Sequence, residues 1–156
     1  MRLGIDVGSV RVGVARSDSG GLLATPLGTI HRGRGDMDAI ASLATEHAVA
    51  EVIVGLPTSL SGREGRAAVA AREFAANLAA WIAPVPVRLL DERFTTVTAH
   101  GALRKTGRDA RSRRHVVDKA AAAVLLQAAL DSERASGRPP GELVSAPSDS
   151  PCEVAP

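Results

Sequence analysis

The sequence predicts a single α/β domain built on a mixed five-stranded sheet: three antiparallel strands, then two parallel ones, with helices on both faces. Three observations predict it. Apolar residues alternate with small or polar ones in three successive runs before residue 32. Beyond residue 35 the pattern changes to helix-period stretches separated by short apolar runs. The chain has 156 residues, enough for one domain and short for two.

The elements follow in order. Leu3, Ile5 and Val7 alternate with Gly4 and Asp6, and Gly8-Ser9 can turn the chain. Val10, Val12 and Val14 alternate again through Ala15. Ala24 to His31 is a third strand, and its Pro26 and Gly28 assign it to an edge. Asp36 is placed to cap a helix with Ile40, Leu43 and Ala44 on one face. Glu51 to Leu56 is an apolar run of the buried parallel type. Pro57 to Gly65 is a loop. Residues 66–82 form an Ala-rich helix with a core face of Val69, Phe74, Leu78, Trp81 and Ile82. Pro86 to Leu90 is the fifth strand. Thr95 or Thr96 can cap a helix to about Lys105, and a last helix runs from about Arg113 to Glu133. Right-handed crossovers would make the last two strands parallel. This is the outline of the ribonuclease-H-like fold. The domain spans residues 1–135. Residues 136–156 are rich in Pro, Ser and Gly without periodicity and are read as a disordered tail.

Composition sets limits. The chain is 45% hydrophobic but only 2% aromatic, with no Tyr, one Trp and two Phe, so the core must be Ala, Val, Leu and Ile. That scarcity excludes a nucleic-acid reader that works mainly by stacking bases on aromatic rings. Cys152 is alone, which excludes a disulfide framework and a Cys-based zinc site. The N-terminus lacks the pattern of a signal peptide, and no run approaches the ~18 apolar residues of a membrane span, so a cytoplasmic protein without a membrane partner is expected. Net charge is +2, but three acids follow the last base, Arg138. Within residues 1–138 all 19 bases face 14 of the 17 acids. A basic body suits an anionic partner.

Three acids are candidates for chemistry. Asp6 interrupts an apolar strand, Glu92 lies just past the fifth strand, and Asp118 lies in the last helix. Each alone has an ordinary explanation: a solvent-face strand residue, the start of a loop, and a helical partner for Arg114. Together they are two acids on strands and one on a helix packed against the sheet. The helix face is read as Val117, Ala121, Val124, Leu125 and Ala128, with Asp118 at its border. Ligands of open α/β sheets bind at the carboxyl ends of strands, where such acids could converge. Converging carboxylates without Cys suit Mg²⁺ or Mn²⁺, which prefer oxygen ligands. Two such ions about 4 Å apart can clamp the attacking and leaving oxygens of a phosphodiester.

An acidic site acting on an anion needs bases nearby. Arg104, Lys105, Arg108, Arg111, Arg113 and Arg114 fall within eleven positions, with Asp109 the only acid among them. They read as a phosphate-binding strip, with Arg11 a further candidate. The loop from Gly55-Leu56-Pro57 through Ser59, Ser61-Gly62 and Glu64-Gly65 could present backbone N–H groups to phosphate or be a plain connection, and it is no Walker A motif. His115, three residues before Asp118, is either a fourth ligand or a surface residue.

These motifs together resemble one family. Residues 4–15, GIDVGSVRVGVA, look like the opening of the YqgF-type proteins, also called Holliday-junction-resolvase-like proteins or pre-16S rRNA nucleases. Val54-Gly55-Leu56-Pro57 with Gly62 and Glu64-Gly65 resembles their second block, Asp91 to Thr96 the third, and Ser112 to Ala121 the fourth. Ser59 and Ser61 depart from the family's usual Asn and Asp. The resemblance spans residues 3 to about 131 and implies a ribonuclease-H-like nuclease whose metal-binding, catalytic triad is Asp6, Glu92 and Asp118. It also implies precursor 16S rRNA 5′-end processing, or resolution of branched DNA. A non-catalytic nucleic-acid-binding module is the competing reading. A sugar-kinase-like phosphotransferase is another, since residues 4–9 also resemble a phosphate motif of that superfamily, but such enzymes need two domains. A homodimer is compatible with the sequence and not required by it.

Overall fold

The structure is a computed structural model. It describes residues 1–59, 61–94 and 110–146, with the backbone alone for Phe94 and residues 110–119. The helix expected over 95–105, the bases Arg104, Lys105 and Arg108, and Cys152 lie outside the described residues.

Three strands open the chain: β1 (Arg2–Val7), β2 (Arg11–Ser17) and β3 (Ala24–His31). Helix α1 (Asp36–Glu46), β4 (Glu51–Leu56), α2 (Arg66–Trp81) and β5 (Val87–Asp91) follow. A single 3₁₀ turn covers Glu92–Phe94, α3 spans Ala110–Ser136, and β6 is Glu142–Leu143. The strand order is β3-β2-β1-β4-β5-β6. β1, β2 and β3 pair antiparallel, β1 with β4 and β4 with β5 pair parallel, and β6 returns antiparallel to β5. The mixed sheet is as expected, and β3 with its Pro26 is an edge, where a missing N–H costs no ladder bond.

The sixth strand corrects the sequence reading. Leu143 pairs with Arg88, and Val144 N–H donates to Val87 O at 2.9 Å. Gly141, at φ 67°, lies so close to Leu89 O that a side chain would not fit. Pro140 is buried, and Val144 packs against the core. Two residues carry no periodicity, so this strand left no trace in a Pro-rich stretch. The expectation of a disordered stretch from residue 136 is thus overturned for residues 140–144, and residues 147–156 lie outside the described residues.

Strand alternation divides the core between the two sheet faces. Leu3, Ile5, Val12, Val14, Val52, Val54, Val87 and Leu89 form one face with Ile40 of α1 and Phe74 and Leu78 of α2. Ala15 and Ile53 form the other with Ala122, Leu125, Leu126, Ala129 and Leu130 of α3. Both long helices are turned differently from expectation. Val69 and Trp81 of α2 are exposed, and the buried stripe is Ala68, Ala71, Phe74, Ala75, Leu78 and Ala79. Trp81 instead donates its indole N–H to Asp38 at 3.2 Å. Alanine lets α2 approach the sheet closely, a role that its modest hydrophobicity hides. At α1, Gly35 occupies the N-cap position at φ 90°. Asp36 is the first helical residue and accepts from Gly33 N–H at 3.2 Å.

The far end of α3 is pinned. Arg2 pairs with Glu133 and with Glu51 at 3.4 Å, and Arg88 Nε donates to Glu51 at 2.9 Å. The group joins the starts of β1, β4 and β5 to the last turns of α3. Gly4 lets the helix close on β1: an added Cβ would lie 2.7 Å from Leu126 Cβ and 2.9 Å from Ala122 O.

β6 should matter to stability. A chain ending at Ser136 loses its pairing and uncovers the β5 edge. It should be less stable than one ending at Ala146 by roughly 1–3 kcal/mol, a Tm lower by about 3–10 °C. Thermal unfolding of the two chains checks this, and equal Tm values would show that β6 contributes nothing.

Candidate active site

Asp6 sits one residue before the end of β1, opposite Gly13 of β2. Its neighbour Ile5 belongs to the core under α1 and α2, so alternation places Asp6 with Gly4 on the face that α3 covers. This central strand is where the antiparallel half of the sheet meets the parallel half. Arg11, half-buried at the start of β2, is on the same face by the same alternation.

Glu92 begins the 3₁₀ turn after β5. β4 lies between β5 and β1, so the Glu92 side chain must cross a strand to reach Asp6. It does so over Gly55. A Cβ on Gly55 would overlap Glu92 Oε1, and Glu92 Cδ and Cγ lie 3.1 and 3.2 Å from that point. The Glu92 carboxyl hydrogen-bonds to Asp6. Burial, then the charge and hydrogen bond of Asp6, then the charge of Asp91, push Glu92 up to about 8. Without a cation the two carboxyls share a proton near neutral pH.

The position of residue 118 follows from the backbone of α3. Glu133 meets Arg2 at the start of β1, and Ala122 and Leu126 lie over Gly4, so α3 runs antiparallel to β1. Residue 118 precedes Ala122 by about 6 Å of helix rise. Asp6 follows Gly4 by about 6.6 Å of strand. The two residues are thus level. The buried stripe of α3 is Ala122, Leu125, Leu126, Ala129 and Leu130, one residue on from the expected face. Residue 118 stands four positions before Ala122 and seven before Leu125 along the helix backbone. Arg111, Arg113, Arg114 and His115 lie in the first turns of α3, at the same end of the sheet.

The loop after β4 is folded on itself. Ser59 N–H donates to Arg63 O at 3.0 Å, Gly62 N–H to Ser59 O at 2.8 Å, and Arg63 N–H to Ser59 Oγ at 3.1 Å. These three N–H groups are occupied, which corrects the reading of the loop as a cradle of phosphate-facing amides at those positions. Two features went unread in the sequence. Gly55 acts as a gap under Glu92, and a glycine inside an apolar strand was the available signal. Asp91 and Arg93, which flank Glu92, form an ion pair at 2.6 Å.

The shared proton gives a pH dependence with a definite sign. Glu92 is raised in the folded state to about 8 from an ordinary value near 4.5. Its stabilising contribution is complete below the unfolded value and is lost as pH rises through the folded one. The carboxylates held low, Asp18, Glu64, Asp91 and Glu133, act in the opposite sense and at more acid pH. Between about pH 5 and about pH 8.5 the Tm of metal-free protein should fall relative to that of Glu92→Gln. Parallel Tm–pH profiles for the two proteins would refute the shared proton.

Comparison with known proteins bears on the fold and the family. A solved structure described as "T. thermophilus RuvC in complex with Holliday junction substrate" covers 91% of this chain and 98% of its own, with a TM-score of 0.50 and 18% identity. It supports the fold. A Thermobifida fusca protein named "Putative pre-16S rRNA nuclease" is 60% identical over 151 residues, covering 92% of this chain and 95% of the relative. A Nocardioides protein of the same name is 59% identical over 149 residues, covering 92% and 96%. The family model described as "RuvX: Holliday junction resolvase" matches residues 1–132, and the chain belongs to that family of nucleases.

Proposed function

We propose that the chain is a divalent-metal-dependent nuclease of the cytoplasm that hydrolyses phosphodiester bonds in structured RNA, with precursor 16S rRNA as its substrate. The observation that carries this is the meeting of Asp6 and Glu92 over Gly55, on the sheet face and at the level where α3 brings residue 118. The donor set fits Mg²⁺ or Mn²⁺. It offers carboxylate oxygens, and two half-buried acids in contact are disfavoured as a charged pair unless a cation lies between them. Among the described residues no group of three such ligands is gathered, so the proposed third, Asp118, comes from the start of α3. The names of the relatives favour ribosomal RNA. The description of the family model keeps branched DNA as the second reading.

Ions held by Asp6, Glu92 and Asp118 would supply an activated water and charge stabilisation for the departing oxygen. Asp6, central in the sheet, and Glu92, held against β4, would hold the ions together with Asp118 of α3. Arg111, Arg113 and Arg114 at the start of α3 are proposed to hold the phosphate backbone, together with Arg11 and with Arg104, Lys105 and Arg108, which precede the helix in sequence. Without such bases the acids would repel the substrate.

The deciding assay sets precursor 16S rRNA beside a four-way DNA junction, with Mn²⁺. RNA cleavage supports the proposal, junction cleavage alone supports the second reading, and inertness on both supports a binding module. Asp6→Asn should cut more slowly by at least about a hundredfold while remaining folded. Combining it with Glu92→Gln or Asp118→Asn should add little, since the three would act as one unit. Wild-type cleavage by Asp6→Asn would remove the site assignment.

The bases should govern binding and not chemistry. Replacing Arg111, Arg113 and Arg114 by Ala should weaken RNA binding across sequences and flatten the dependence of log Kd on log salt by roughly two to three units. A titration at several salt concentrations measures this. An unchanged slope would place the nucleic acid elsewhere.

A further inference from the structure

Asp91 closes a ring around the backbone of Glu92. Its Oδ1 accepts the backbone N–H of Arg93 at 2.9 Å, so the bond spans residue 92 and fixes its dihedral angles. The same oxygen accepts the hydroxyl of Thr58 at 2.5 Å. Thr58 follows β4, the strand that carries Gly55, so the ring is tied to the strand over which Glu92 must pass. The other oxygen, Oδ2, accepts Arg93 Nε at 2.8 Å and pairs with Nη2 at 2.6 Å. The Arg93 guanidinium rests on the turn glycine of the loop: a Cβ on Gly62, at φ 83°, would stand 3.2 Å from Nη1. Of three consecutive residues, the outer two engage the loop and the middle one reaches Asp6.

We propose that Asp91 is a positioning residue that acts through Thr58 and Arg93, setting the backbone of Glu92 so that its carboxyl meets Asp6 in a cation-binding arrangement. The inference rests on the reading of Asp6 and Glu92 as cation ligands. A glutamate has three side-chain torsions, and its carboxyl can hold a place two strands away only if the Cα it hangs from is fixed. Groups that orient metal ligands in this way commonly change metal affinity by about 10–100-fold when removed. Thr58 is the informative member, because its hydroxyl can be deleted without changing any charge near the site.

The test is Mn²⁺ binding by the full chain, measured by calorimetry without nucleic acid, beside the Tm of each variant. Thr58→Val should weaken Mn²⁺ binding about 10-fold or more, and Thr58→Ser, which keeps the hydroxyl, should bind like wild type. Asp91→Asn should weaken binding further, since it loses the paired contact to Arg93 and a nearby negative charge. With RNA, Thr58→Val should lower kcat and leave KM unchanged. If wild type binds Mn²⁺ and Thr58→Val binds it equally well, with only its Tm lowered, Asp91 and Thr58 are structural and the inference falls alone. If wild type binds no Mn²⁺, the cation reading falls and the inference with it. Should Asp91→Asn not fold, the Thr58 pair decides.

Discussion

At the carboxyl end of the sheet, two acids on different strands meet because the strand between them carries no side chain at one position. Gly55 is that position. Glu92 hangs from the end of β5 and Asp6 from β1, and any residue with a Cβ at 55 would occupy the space through which the Glu92 carboxyl passes. The approach is costly in the absence of a cation. Burial and a neighbouring carboxylate both disfavour the charged form of Glu92, which is why it retains its proton to about pH 8. A contact that holds only when a proton or a cation is shared is weak as a structural bond. It is well suited to capture of a divalent ion.

The third acid depends on how α3 is placed, and that is decided far from the site. Leu125, Leu126 and Leu130 are fully buried, and each supplies on the order of 2 kcal/mol by leaving water. This apolar contact holds the helix down but does not fix its position along its own axis. Gly4 and the Arg2–Glu133 pair do. The first admits Leu126 and Ala122 at one point on β1, and the second anchors the last turns. Glu51, between Arg2 and Arg88, is mostly buried, so its ion pairs are geometric constraints more than sources of stability. Sliding the helix by one turn would carry residue 118 about 5.4 Å from the level of Asp6.

Much of this was legible in the sequence, and unevenly. The alternation of Leu3, Ile5, Val12 and Val14 declared β1 and β2 because a half-buried strand has a strict period. The phase of α2 and α3 was misread because alanine forms much of both buried stripes. Ala68, Ala71 and Ala75 carry too little hydrophobicity to outvote Val69 and Trp81, yet only small residues allow the close packing seen. In α3 the same ambiguity moved the buried face by one residue. β6 was invisible because two residues have no period. The acids Asp6 and Glu92 stood out only jointly and by family resemblance. Gly55 was read as the start of a loop, since the need for a gap there depends on a side chain from the neighbouring strand.

The two ends of the sheet treat charge differently. At the end where β1 begins, charges are compensated: Arg2 and Arg88 face Glu51 and Glu133, and the Arg2 backbone N–H donates to the buried Ser17 hydroxyl at 2.9 Å. At the other end two carboxyls, those of Asp6 and Glu92, are brought together. Arg93, the adjacent base, is committed to Asp91 instead. Had Arg93 paired with Glu92, the carboxylate would be stabilised as an anion and the room for a cation would be lost. Assigning the arginine to Asp91 keeps the local net charge moderate, holds the loop, and leaves the Glu92 carboxyl facing Asp6. Within three consecutive residues, Asp91 and Arg93 thus pair with each other while Glu92 between them meets Asp6.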